Sequence, residues 1–232
     1  MERNHPGPQN GEKPRYIRLT PFGKWVSRTV RILAEGSQSN RDNTSHVRQN
    51  GYLGNEAYAT AAVAKLRHAV GHDVGADPEV FAWTMPPIDD VDIAGNLAPY
   101  QNGPSPREQA AHAAVTLFAV HQQSNHETSA HTDENVSLGR AVGRMAYGNL
   151  NESGIRSMFD RLQTAGSWKE LVRHSRGLIT LLKRERIAIN YGLLAQDLLA
   201  LRGTRNQANV VRTRWGRDFQ SAYHYQETNN AS

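Results

Sequence analysis

The chain has 232 residues, 38% hydrophobic and 7% aromatic, with 27 Lys/Arg against 22 Asp/Glu and no cysteine. That length can bury a full core in one or two domains. The lack of cysteine excludes disulfides and thiolate-bound zinc and fits a reducing compartment. No apolar run approaches the roughly 18 residues of a membrane span, and no charged-then-apolar leader opens the chain, so a cytoplasmic protein with no membrane partner is expected.

Residues 1–14 are rich in Pro, Gly and Asn without periodicity and read as a disordered tail. Thr20-Pro21 is an N-cap followed by Pro at the first helical position, opening a helix through Trp25, Val26, Val30 and Leu33 that Gly36 ends. Residues 37–51 are a polar connection. An Ala-rich helix follows over 55–70 with Lys65 and Arg67 near its end, then a short one from Asp77-Pro78 through Phe81 and Trp83. Residues 86–104 read as a long loop. Ser105-Pro106-Arg107-Glu108 is a capping box, and the small residues behind it predict a helix that neighbours approach closely.

Three helical patterns then fill 136–191. In the middle one, Ile155, Met158, Phe159 and Leu162 share a face; in the third, Trp168, Leu171, Val172, Leu178, Ile179 and Leu182 do. Gly139 and Gly143 follow no strand, so they mark close helix packing rather than a dinucleotide loop. Asn190 caps a helix through Leu193, Leu194, Leu198 and Leu201. A last helix over about 206–223 buries Val211, Trp215, Phe219 and Ala222. The pattern is all-α, nine to ten helices in two bundles (15–130 and 131–225) joined by a polar loop, with 226–232 a second tail.

Charge is divided unevenly. Gly139 to the end holds 15 Lys/Arg against 7 Asp/Glu, a balance of +8, while residues 1–138 hold 12 against 15, a balance of −3. The acids concentrate between Asp77 and Glu134, where nine face Arg107 alone. On the third central helix, Lys169, Arg173, Arg176 and Lys183 lie along one line about 21 Å long with no acid in it. Such a row is either a solvated outer face or a stripe that displaces counterions from nucleic-acid backbone. Arg140 and Arg144 one turn apart, Arg156, Arg161, Arg205, Arg212 and Arg214 add to the basic half. Asp160 is the acid placed to pair with Arg156.

Two readings from other classes stand beside this one. His68 and His72 at i,i+4, with Asp73 next, could serve an all-α His-Asp metal phosphohydrolase, although Gly71 breaks the helix between the imidazoles. His121, His126 and His131 read as one helix-capping and two solvated histidines rather than a metal site. The acidic 77–134 segment could instead belong to a helical scaffold that binds a basic protein. No phosphate loop, nucleophile elbow or zinc-finger pattern is present, so no catalytic residue and no cofactor or metal is expected. No aromatic is interleaved with the cations, which argues against a base-stacking surface.

Several segments resemble one family. Ser137-Leu138-Gly139-Arg140-Ala141, Asn151-Glu152-Ser153 ahead of Arg156, Phe159 and Arg161-Leu162, and Leu171-Val172-Arg173-His174-Ser175-Arg176 are similar to the small subunit of the type I-E CRISPR surveillance complex Cascade, the CasB family. So are Tyr191, Ala195-Gln196-Asp197-Leu198, Val211-Arg212 and Trp215-Gly216-Arg217-Asp218-Phe219. In the first half, Ala64-Lys65-Leu66-Arg67, Trp83 and His121-Gln122-Gln123-Ser124 through His131 resemble the longer, actinobacterial-type members. The resemblance covers about 50–225.

It implies a non-catalytic, two-bundle helical subunit acting in antiviral defence. The partners implied are the CRISPR guide RNA, the target and displaced DNA strands, the Cascade backbone and large subunits, and a second copy of itself. Contacts carried to matching positions are Lys65, Arg67, Arg140, Arg144, Arg156, Arg161, Arg173 and Arg176, with Arg205, Arg212 and Arg214 as further candidates. Ser153-Gly154-Ile155 stands where family members often place more arginines, so that turn departs from the pattern.

Overall fold

The computed structural model describes residues 17–41, 45–96 and 102–230; the N-terminal tail expected over 1–14 lies outside them. The helices are α1 (Pro21–Glu35), α2 (Ala57–His68), α3 (Phe81–Thr84), α4 (Val91–Ala94), α5 (Pro106–Gln122), α6 (Leu138–Ala146), α7 (Glu152–Gln163), α8 (Trp168–Arg184), α9 (Tyr191–Leu201) and α10 (Arg205–Asn230). The fold is all-α, as the periodicity predicts. Two features go beyond the sequence reading. The polar connection after α1 forms an antiparallel hairpin, β1 (Gly36–Arg41) with β2 (Ser45–Asn50), paired from Gly36↔Asn50 to Arg41↔Ser45. The last helix runs on to Asn230 rather than stopping near Tyr223.

The helix starts follow their capping chemistry. Thr20, Ser105, Ser137, Ser167 and Asn190 each accept a backbone N–H of the first turn through the side chain. At Ser105 the capping box is complete, with Glu108 accepting the Ser105 N–H at 2.6 Å. One turn of helix, α4, interrupts the long loop expected over 86–104, because Asp90 caps it by accepting the N–H groups of Asp92 and Ile93.

α5 lies at the centre. Every residue from Ala110 to Gln122 is buried, as befits a helix apolar on all sides. Its alanines let α2, α8, α9 and α1 pack around it. α9 also packs on α1, and the Thr20 N–H donates to Gln196 at 2.5 Å across that contact. α6 and α10 form the tightest pair: a Cβ at Gly139 or Gly143 would run into the backbone of Trp215 or Phe219. The Gly-x-x-x-Gly pair is therefore the close-packing device its spacing suggested. A single hydrophobic cluster runs from Phe22 on α1 to Phe219 on α10, so the core crosses position 130 without a break.

Candidate nucleic-acid interface

Leu171, Val172, Leu178, Ile179 and Leu182, recurring at helical spacing and all buried, hold α8 in the core. That fixes the opposite face outward and leaves Lys169, Arg173 and Arg176 exposed. The ion pairs of the described residues engage other cations, namely Arg31, Lys65, Arg156, Arg186 and Arg214. The three stripe cations do not stand on an open face. They form one wall of a groove of about 770 Å³. Its other wall is built by the turn after α2, with His72 and Asp73, and by the first turns of α5, with Gln109 and His112; Trp168 closes one side.

At the far end of the row Lys183 is half-buried. Burial, and then the nearby Arg67 guanidinium, holds its pKa below the usual lysine value. Arg67 also donates to Gln123 Oε1 at 2.7 Å. Two cations 116 positions apart in sequence thus lie close enough to act on one another. The remaining candidates fall elsewhere. Lys65 is paired with Glu79 at 2.8 Å. Arg140 is half-buried on α6, and Arg144 lines a second hollow of about 510 Å³ with Arg186 and Glu134. Arg161 and Arg205 are exposed on α7 and α10.

Three candidates are committed to the fold. Arg156 pairs with Glu152 at 2.7 Å, one turn back, rather than with Asp160. Its guanidinium lies over Phe219 and Tyr223, 5.0 and 4.4 Å from the ring centroids. Arg212 donates to the Ala165 carbonyl at 3.0 Å, closing the end of α7. Arg214 turns inward to Asp197, which is 3% exposed and also accepts Trp215 Nε1–H at 2.6 Å. Burial pushes the Asp197 carboxyl pKa up, and Arg214 opposes it.

The histidines divide differently from expectation. His121 and His131 are both buried around Tyr191: His121 Nδ1 meets the Tyr191 hydroxyl at 2.9 Å, and the Tyr191 N–H donates to His131 Nδ1 at 3.2 Å. Because Nδ1 of His131 accepts, its Nε2 carries the proton toward Ser27 Oγ at 3.0 Å and Asp133 at 3.3 Å. A Ser-His-Asp base needs the reverse polarity at serine, so this constellation is a structural tie. Of His121, His126 and His131, His126 alone is exposed, stacked on Tyr52 at 4.3 Å. His72 Nδ1 is taken by Asp77 at 2.7 Å. Among the described residues no three His, Asp or Glu side chains gather to hold a metal ion.

Sequence reasoning missed the groove wall opposite α8. Gln109 and His112 are three apart on one face of α5, but α5 is apolar enough that its polar residues read as incidental.

Residues 62–219 match the family model for CRISPR-associated protein Cse2. The crystal structure of CasB from Thermobifida fusca matches with a TM-score of 0.66 at 30% identity, covering 87% of this chain and 99% of that one. The chain belongs to the Cse2/CasB family. It is thereby a Cascade subunit of CRISPR defence, in a structural rather than an enzymatic family. No curated protein matches it significantly. No described helix is long and apolar enough to cross a membrane.

Proposed function

We propose that this subunit holds nucleic-acid backbone in the α8 groove, without catalysis, and so stabilises the guide RNA–target DNA R-loop and its displaced strand. The observation that carries the reading is the wall of Lys169, Arg173 and Arg176, exposed along one groove and engaged in none of the ion pairs of the described residues. Spaced cations of this kind release counterions from phosphates and read no sequence, which suits a complex whose sequence reading rests on guide pairing. Arg67 and Lys183 extend the path, and Arg140, Arg144, Arg161 and Arg205 are secondary contacts. The acidic side, where Ile88 and Val91 are 78% and 63% exposed beside Asp89 and Asp92, faces protein: the Cascade backbone and large subunits or a second copy of the chain.

Arg173→Glu with Arg176→Glu tests this. The double variant keeps its helix content, and the slope of log affinity against log salt falls in magnitude by at least about 2. A variant with the wild-type slope overturns the reading.

A further inference from the structure

The lining of the groove is bipolar, and phosphate alone does not account for it. One wall is cationic, while the other presents the Asp73 carboxylate and the His72–Asp77 pair. A site for bare backbone would repel its ligand from that second wall. The lining also carries groups suited to an uncharged, flat, hydrogen-bonding ligand. Contrary to the sequence reading, an aromatic does stand among the cations: Trp168 lines the groove beside Lys169, with Arg202 stacked 5.3 Å from its ring centroid. Gln109 donates Nε2–H to the Pro104 carbonyl at 3.0 Å, which leaves its Oε1 as an acceptor.

His112 is the most telling member. It is 4% exposed and lines the groove, and the hydrogen bond it makes among the described residues is through its backbone carbonyl, to Thr116. Its ring nitrogens are not among the fully enclosed, unpartnered side-chain atoms, so a ligand in the groove can reach them. Burial holds its imidazole below the usual pKa, with Asp77 opposing and His72 reinforcing. A neutral ring offers one donor and one acceptor to a ligand.

We propose that the groove takes a splayed nucleotide of single-stranded nucleic acid, with phosphates on Lys169, Arg173 and Arg176 and the base held among Trp168, Gln109 and His112. The inference rests on the backbone-binding reading above and adds a base to it. Aromatic stacking and polar edges are the means by which proteins hold unpaired bases, and about 770 Å³ is within the range of nucleotide-sized sites. Asp73 then has a role: a carboxylate accepts from an exocyclic amine, which favours cytosine over thymine.

The test uses the full chain with three fluorescent strands of equal phosphate count: oligodeoxycytidine, oligothymidine and an abasic strand. Oligodeoxycytidine is expected to bind about tenfold more tightly than the abasic strand, the scale of one stacked base. Trp168→Ala and the half-exposed Gln109→Ala each bring that ratio toward one while the salt slope is unchanged. Asp73→Asn removes the preference for oligodeoxycytidine over oligothymidine. Salt-dependent but equal binding of the cytidine and abasic strands overturns the base site and leaves backbone binding standing. Failure to bind any strand overturns both.

Discussion

Arg214 separates charge that touches nucleic acid from charge that builds the fold. Its guanidinium meets Asp197, a residue 3% exposed whose other partner among the described residues is Trp215 Nε1–H. Arg214→Ala leaves that carboxylate buried with one hydrogen bond in place of a charge-assisted pair. Removing one partner of a buried ion pair costs about 3–5 kcal/mol. Arg214 retains 26% side-chain exposure, so water reaches part of the site and the lower end applies, about 3 kcal/mol. For a chain of this size that lowers Tm by roughly 6–12 °C. Urea denaturation of Arg214→Ala, Asp197→Asn and the double variant measures it. The double variant is expected to be more stable than the sum of the single losses implies, because removing both charges leaves no orphan. The reasoning is refuted if Arg214→Ala unfolds within about 0.5 kcal/mol of wild type while nucleic-acid affinity falls.

Three further outcomes follow from the packing. Gly139→Ala drives a methyl group into the Trp215 carbonyl and is expected to cost about 2 kcal/mol; an unchanged denaturation midpoint contradicts the α6–α10 approach. Arg156→Ala removes the cation over Phe219 and Tyr223 and should lower stability by about 1 kcal/mol without altering the salt slope of binding; a changed slope returns Arg156 to the interface. Burial lowers the His121 pKa to about 4, and lowers that of His131 as well. Both are neutral when folded, so stability is full above the unfolded value near 6.5. It falls as pH drops toward 4, because the unfolded chain takes up protons that the fold refuses. For His121 alone the loss at pH 5 is about 2 kcal/mol. Thermal melts between pH 7 and 4.5 record it, and a flat Tm contradicts the buried pair.

Several helix starts were legible because they carry their own chemistry: Thr20, Ser105 with Glu108, and Asn190 are caps in the structure as they read in the chain, and Ser137 and Ser167 prove to be caps as well. The α8 stripe was legible too, since one apolar face dictates its opposite. What the sequence could not convey was which arginines turn inward. Arg214 and Arg217 look alike in the chain, but Arg214 meets Asp197, 17 positions away on another helix, while Arg217 is exposed. His131 reads as a loop histidine for the same reason, its partners Ser27 and Tyr191 being 104 and 60 positions away. The hairpin after α1 was invisible because its strands, GSQSNR and SHVRQN, lack apolar alternation. The groove needed tertiary structure, since the turn after α2, α5 and α8 each supply part of it.

The central claim is that nucleic acid lies against α8. Ultraviolet crosslinking of the assembled Cascade complex on target DNA, with the modified peptides of this subunit sequenced, tests it most directly. Crosslinks are expected on the peptides carrying Trp168 to Arg176 and His72 to Asp73. Crosslinks confined to the acidic 77–96 segment, with none on α8, would contradict it.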